Sequence, residues 1–181
     1  MSRASETFHQ SILDAENLLK HFNTLNTKPP PPDIEVLKRA GLIMAMTAWE
    51  TFVEDRVLEA TVQRLSGLGN TEIAAFMQSK LEIEIKRLHN PASAKTIELF
   101  RDYAGVELSS KWSWNNSDER VTCNRLDEYI RLRGDVVHRS RRITQGISQA
   151  HPVTKEDLEK AIRFLRRLVD ATENAINATN D

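Results

Sequence analysis

NRLDEYIRLRGDVVHRSRR, Asn124 to Arg142, is the stretch on which the fold turns. At about 100° per residue, Leu126, Tyr129, Ile130, Leu132, Val136 and Val137 gather on one broad arc, which makes the segment an amphipathic helix, expected from roughly Ser117 to Ser140. Arg133 falls in the middle of that arc. An arginine pointed at an interior needs a partner, because a buried charge without one is strongly destabilising; Glu50 is the expected partner. His138 falls off the arc, on a flank with Arg131 and Asp135. These three are spaced four and three residues apart, within side-chain reach, so that Asp135 could orient His138 or pair with Arg131 or Arg139. Gly134 costs of order 1 kcal/mol in a helix interior relative to alanine. It removes bulk beside Arg133 and His138, where another chain or a ligand could approach. The bland alternative is that Arg133 anchors a buried carboxylate and His138 satisfies a helix end.

The same periodicity organises the flanking sequence. Phe8, Ile12, Ala15, Leu18, Leu19 and Phe22 predict a first helix over 5–26. KPPPPD, Lys28 to Asp33, cannot sit inside a helix and reads as a stiff extended connection. A second, longest helix is expected from near Asp33, a plausible cap, to about Leu65. Leu37, Leu42, Ile43, Met46, Trp49, Phe52, Val53 and Val57 form its broad apolar face, and Gly41 marks a close crossing. Ser66 to Asn70 ends it. A third helix, Thr71 to Leu88, carries Ile73, Phe76, Met77, Leu81, Ile85 and Leu88. HNPAS then breaks the pattern, and Ser93 is placed as the cap of a short fourth helix. Residues 104–120 have no sustained period and read as a structured loop, with Trp112 and Trp114 as anchors against the body in preference to a base-stacking platform. Thr154 with Asp157, and Val153 with Leu158, predict a capping box and hydrophobic staple opening the last helix. No strand alternation persists. The fold class is therefore all-α, a bundle of five to six helices. It forms a single domain over 1–181, with helix 5–26 packed on the rest.

Composition narrows the function classes. Of the 181 residues 40% are hydrophobic, enough for one core, and 28% are charged;. The balance of 25 Lys+Arg against 26 Asp+Glu gives a net charge of −1, so global charge predicts no polyanion partner and only local clusters can;. One cysteine, Cys123, permits no intrachain disulfide and fits a reducing, cytoplasmic compartment;. No secretory or membrane-spanning apolar run occurs. No phosphate-binding glycine loop and no zinc-ligand cluster is present, so neither cofactor nor metal is expected. His9, His21, His89 and His151 have no setting comparable to that of His138.

RGDVVHR, Arg133 to Arg139, resembles the R-x4-6-H signature of the HEPN superfamily of helical RNases and nucleotide-associated domains, with Arg133 and His138 as the matched pair. LIMAMTAWETFVEDRVLE, Leu42 to Glu59, resembles the N-terminal helix of its RiboL-PSP-HEPN branch, where an apolar run leads into Trp-Glu-x-Phe-x-Glu; Trp49, Glu50, Phe52 and Glu54 carry that match. The resemblance covers a HEPN-like core of about 35–175 and implies a helical bundle that dimerises through the motif helices, placing paired Arg and His residues in one cleft on the two-fold axis. It further implies metal-independent cleavage of RNA, in toxin-antitoxin, phage-defence or RNA-processing systems, with some relatives that only bind. Gly134 stands where such motifs commonly carry a polar residue, often asparagine.

The residue types suit that chemistry. Histidine transfers protons near neutrality. Arginine presents a fixed fork of donors to a phosphate and keeps its charge. The expected catalytic residues are Arg133 and His138, supported by Glu50, Asp135, Arg131 and Gly134. Arg139, Arg141 and Arg142 extend a basic RNA-binding track. The leading expectation is an endoribonuclease homodimer acting on RNA, with a cognate antitoxin as a further partner. The alternatives are a catalytically inactive HEPN-like RNA- or protein-binding dimerisation module, and a helical protein whose motif is coincidental.

Overall fold

The computed structural model describes residues 1–27, 31, 33–114, 117–138, 143–144, 147–148 and 153–180; of His138, Asn180 and residues 143–144 and 147–148 it describes the backbone alone. The centre of the bundle is α2 (Glu35–Leu65), whose apolar residues fall on more than one side. Leu42, Trp49, Phe52, Val53 and Val57 are all inaccessible to solvent or nearly so. Burying each such side chain stabilises the fold by about 1.5–3 kcal/mol. α1 (Arg3–Leu25) packs chiefly along α2, with Phe8, Ile12, Ala15 and Phe22 buried at helical spacing. Ser2 caps α1, its hydroxyl accepting from Ser5 N at 3.0 Å. α6 (Lys155–Asn180) lies against both α2 and α1, and α5 (Glu119–His138) against α2 and α4 (Ser93–Leu99). α3 (Glu72–Lys86) leans on α2 and buries only Leu81. Ile73 and Phe76, read from the sequence as core, are instead exposed. With a single flank of α2 to pack on, α3 covers only one narrow stripe.

Six α-helices are thus present among the described residues, and the fold is all-α as the periodicity predicts. Among the described residues the strands form a minimal antiparallel pairing, β1 (Ile143–Thr144) with β2 (Ile147–Ser148), which the sequence pattern did not announce. Two residues per strand leave no room for an alternation to show. No described helix is long and apolar enough to cross a membrane. The proline connection expected at Lys28–Asp33 falls largely outside the described residues.

Several local expectations hold. Thr154 and Asp157 form a reciprocal box: Asp157 N donates to Thr154 Oγ1 at 3.1 Å, and Thr154 N and Oγ1 donate to Asp157 Oδ2 at 3.0 and 2.7 Å. Val153 and Leu158 are both fully buried beneath it. Trp112 is an anchor, inaccessible to solvent, with Nε1 donating to Thr172 Oγ1 at 3.0 Å. Gly41 does mark a close crossing, since a Cβ there would meet Leu158 Cδ2 at 2.7 Å. Two caps are corrected. α2 begins after Ile34 and has no side-chain cap from Asp33. The N-cap of α4 is Ala92, and Ser93 is the first helical residue. Ser93 N and Oγ both donate to Asp127 on α5, at 2.8 and 2.9 Å, so a carboxylate from another helix supplies the acceptor expected from Ser93 itself;.

A buried ion pair joins the ends of the bundle. Arg56 Nε lies 2.6 Å from Glu173 Oε1, and Ser2 Oγ donates to the same oxygen at 2.7 Å. α2, α6 and the start of α1 meet at this one carboxylate.

Candidate active site

Thr122, Leu126 and Tyr129 are the buried residues of α5, at i, i+4 and i+7, and Arg133 continues their stripe at i+11. The arc argument is therefore correct for Arg133, which sits where a core residue would. Its guanidinium meets two groups. Arg133 Nη1 donates to Asn90 Oδ1, and Arg133 Nη2 lies 3.9 Å from Glu50 Oε2. Asn90 N donates in turn to Glu50 Oε1 at 3.1 Å. Glu50 is thus beside Arg133 as expected, but the hydrogen bond expected from it comes from Asn90, and the carboxylate stands behind at the edge of ion-pair range. Arg133 Nε is buried with no hydrogen-bond partner among the described residues.

Asn90 carries no sequence signal beyond the break between helices that its His-Asn-Pro setting makes. Its φ is 56°, the single positive value among described non-glycine residues. Asparagine is one of the few side chains that tolerate this left-handed region. The connection is held at neighbouring points. Trp49 Nε1 donates to Pro91 O at 3.2 Å and Thr96 Oγ1 to the same carbonyl at 3.3 Å, while Leu88 is buried. Asp127, gripping Ser93, ties the start of α4 to α5 two turns before Arg133. The segment presenting Asn90 is consequently fixed to both α2 and α5.

The electrostatics around Arg133 are mixed. Burial raises the carboxyl of Glu54 above the ordinary glutamate range, and the charges of Glu50 and Asp55 push it the same way; His89 acts in the opposite sense. His89, which the sequence reading set aside, therefore lies within electrostatic reach of Glu54 and adjoins Asn90. No described residue lies within 4 Å of where a Cβ on Gly134 would stand. Gly134 lies between Ile130, half-buried, and Val137, which is 48% exposed although the wheel placed it with the core. Ile130 still packs against the core, but among the described residues nothing buries Val137 or fills the space beside Gly134. Arg131 is exposed and Asp135 half-buried. His138 is the last residue of α5. Five residues beyond Arg133, its Cα is displaced by about 7.5 Å along the axis and about 140° around it. Its side chain, with Arg139, Arg141 and Arg142, lies outside the described residues, as does His151.

A long helix buried on several sides and an arginine held at the end of an α5 core stripe define a helical bundle of the class that the two sequence features resemble. The RiboL-PSP-HEPN family matches residues 10–178, and the chain belongs to that family. The match begins inside α1, earlier than the boundary near residue 35 read from the sequence, so most of α1 falls within the family's span. No curated protein and no solved structure matches the chain significantly.

Proposed function

We propose that this protein is a metal-independent endoribonuclease that works as a homodimer about α5, with Arg133 and His138 as its catalytic residues. The observation that carries the reading is the Arg133 clamp. An arginine that replaces a core residue, fixed by Asn90 with Glu50 behind it, is already ordered for a phosphate before substrate arrives, which lowers the cost of reorganisation. Dimerisation is supported by the open stripe of Ile130, Gly134 and Val137 beside Arg133, a surface that a two-fold partner can cover with its own copy. Two copies then surround one phosphodiester. One His138 takes the proton of the 2′-hydroxyl, whose oxygen attacks phosphorus. The P–O5′ bond breaks, and the partner's His138 delivers a proton to the departing O5′. Arg133 stabilises the negative charge gathered on the phosphorane. The products are a 2′,3′-cyclic phosphate and a 5′-hydroxyl. Asp135 and Arg131 orient His138, and Arg139, Arg141 and Arg142 attract the strand. An RNase of this kind requires restraint in its own cell, so the reading extends to the toxin of a toxin-antitoxin or phage-defence system with a cognate antitoxin.

The test is incubation of total RNA and matched DNA with wild type and His138→Ala in excess EDTA, followed by mapping of the ends. RNA alone should be cut, and the variant should lose about 10²-fold or more in rate. Cleavage of DNA, dependence on added metal, or full activity in the variant would defeat the mechanism. Gly134 favours a second reading, a HEPN-like module that binds RNA or protein without cutting, because no side chain follows Arg133 to share the work. RNA binding without cleavage of any substrate would select it.

A further inference from the structure

A cleft of about 590 Å³ opens between α5 and α6, on a different side of α5 from Gly134. A row of three cations on α6 lines it, with one arginine on α5. α5 contributes Arg125, and α6 contributes Lys160, Arg163 and Arg167 at i, i+3 and i+7. These four side chains make no ion pair or hydrogen bond among the described residues. Arg166, next in sequence, faces the other way and is bound to Glu16 at 2.7 Å. Two carboxylates also line the cleft, Glu128 and Asp157. Asp157 is occupied by the backbone and hydroxyl of Thr154. Four cations against two acids leave a net positive cleft in a chain of net charge −1. Its floor is aromatic: Tyr129 and Phe164 are buried, with ring centroids 5.6 Å apart. Trp114 stands half-buried at one end, tilted on Phe164 at 5.9 Å. Beyond Trp114 and Arg167 the groove continues into a second depression of about 640 Å³.

Unpaired guanidiniums and an ammonium above an aromatic floor match a ligand with a phosphate and a flat ring. Arginine forks take phosphate oxygens two at a time, and a partly open indole offers a face or edge to a base. We propose that the α5–α6 cleft binds a nucleotide, its phosphate between Arg125, Lys160 and Arg163 and its base against Trp114. This chemistry has two sources, a free mononucleotide and a unit of a single-stranded oligonucleotide running along the groove. The site does not depend on the chemistry assigned to Arg133.

The experiment measures binding to the full-length protein, so that it is independent of cleavage. The probes are AMP and a labelled 2′-O-methyl RNA decamer, which has no free 2′-hydroxyl to react. Arg163→Gln and Lys160→Gln change exposed residues and should fold, as circular dichroism will verify. Each should weaken binding about tenfold and flatten its salt dependence, as expected for a lost phosphate contact. Trp49 and Trp112 are fully buried, so quenching by bound base should disappear in Trp114→Phe. Competition of AMP with the decamer identifies a mononucleotide site; decamer binding that AMP does not displace identifies a strand groove. Either result supports the proposal. It is overturned if wild type binds neither probe, if both glutamine variants bind like wild type, or if inorganic phosphate competes as well as AMP. Loss of all binding in Arg133→Ala would also overturn it, by placing the ligand at the other site.

Discussion

Asn90 and Arg133 hold each other across two elements: the Asn90 side chain accepts from the Arg133 guanidinium while the Asn90 backbone, at φ 56°, donates to Glu50. The pair makes the position of Arg133 depend on a residue that carries no charge and belongs to no motif. Asn90→Ala removes the acceptor and places an alanine in the left-handed region, a cost of roughly 1–2 kcal/mol. Asn90→Gly removes the acceptor and keeps the backbone easy. Both variants should lower RNA cleavage, and Asn90→Gly should do so with a melting temperature close to wild type. Equal activity in Asn90→Gly and wild type would show that Arg133 needs no such clamp.

The raised carboxyl of Glu54 makes a signed prediction about pH. Burial and the neighbouring Glu50 charge favour its neutral form in the folded state. A carboxylate whose folded pKa exceeds its unfolded value contributes no penalty below the unfolded value, where both states are protonated. The penalty grows as pH rises from there through the folded pKa, and is then complete. Glu54→Gln should therefore raise the melting temperature at pH 7 and leave it nearly unchanged near pH 3.5. A thermal-melt series across that range checks it, and equal shifts at both ends would refute the electrostatic origin.

The helices were legible because burial on one side leaves a period of 3.6, which survives in α1, α5 and α6, while α2, buried on several sides, was legible from its length and broad apolar content. α3 misled because its apolar residues are periodic but only Leu81 among them is buried; pattern records amphipathicity, not whether anything covers the face. The arc argument that exposed Arg133 would also have exposed Arg56. It lies four residues after Phe52 and four before Ala60, both buried, and its partner Glu173 is 117 positions away. Only the fold brings those two together. Asn90 was illegible for a related reason. A residue before proline in a connection reads as a breaker, and its left-handed backbone and its acceptor become meaningful only once Trp49 fixes Pro91 and Asp127 fixes Ser93.

Gly41 separates helix propensity from packing. An alanine there would gain up to about 1 kcal/mol of propensity, but its Cβ would stand 2.7 Å from Leu158 Cδ2 in a full core. Overpacking by one carbon costs about 1–3 kcal/mol. The balance favours a modest loss for Gly41→Ala. Gly41→Leu, with no room for its branch, should fail to fold. Denaturant midpoints of the alanine variant against wild type decide it, and a stabilised Gly41→Ala would mean that Leu158 repacks freely.

Gly134 is the informative contrast, because none of the described residues crowds it. Within one protomer, alanine is better than glycine in a helix interior by about 0.5–1 kcal/mol, and no contact among the described residues opposes the gain. For a chain of this size that corresponds to a rise of roughly 2–4 °C for each kcal/mol in melting temperature. If the stripe of Ile130, Gly134 and Val137 receives a second copy, the added methyl appears twice at the closest approach of two helices. Gly134→Ala should then stabilise the protomer while weakening the dimer in sedimentation, and it should lower RNA cleavage in parallel. Glycine would be retained there against its own helix propensity because the assembly needs the space. Melting, sedimentation and cleavage of the one variant give three independent readings. A stabilised protein that remains dimeric and fully active would remove Gly134 from the interface; a stabilised protein that becomes monomeric and inactive would tie the interface to the chemistry of Arg133 and His138.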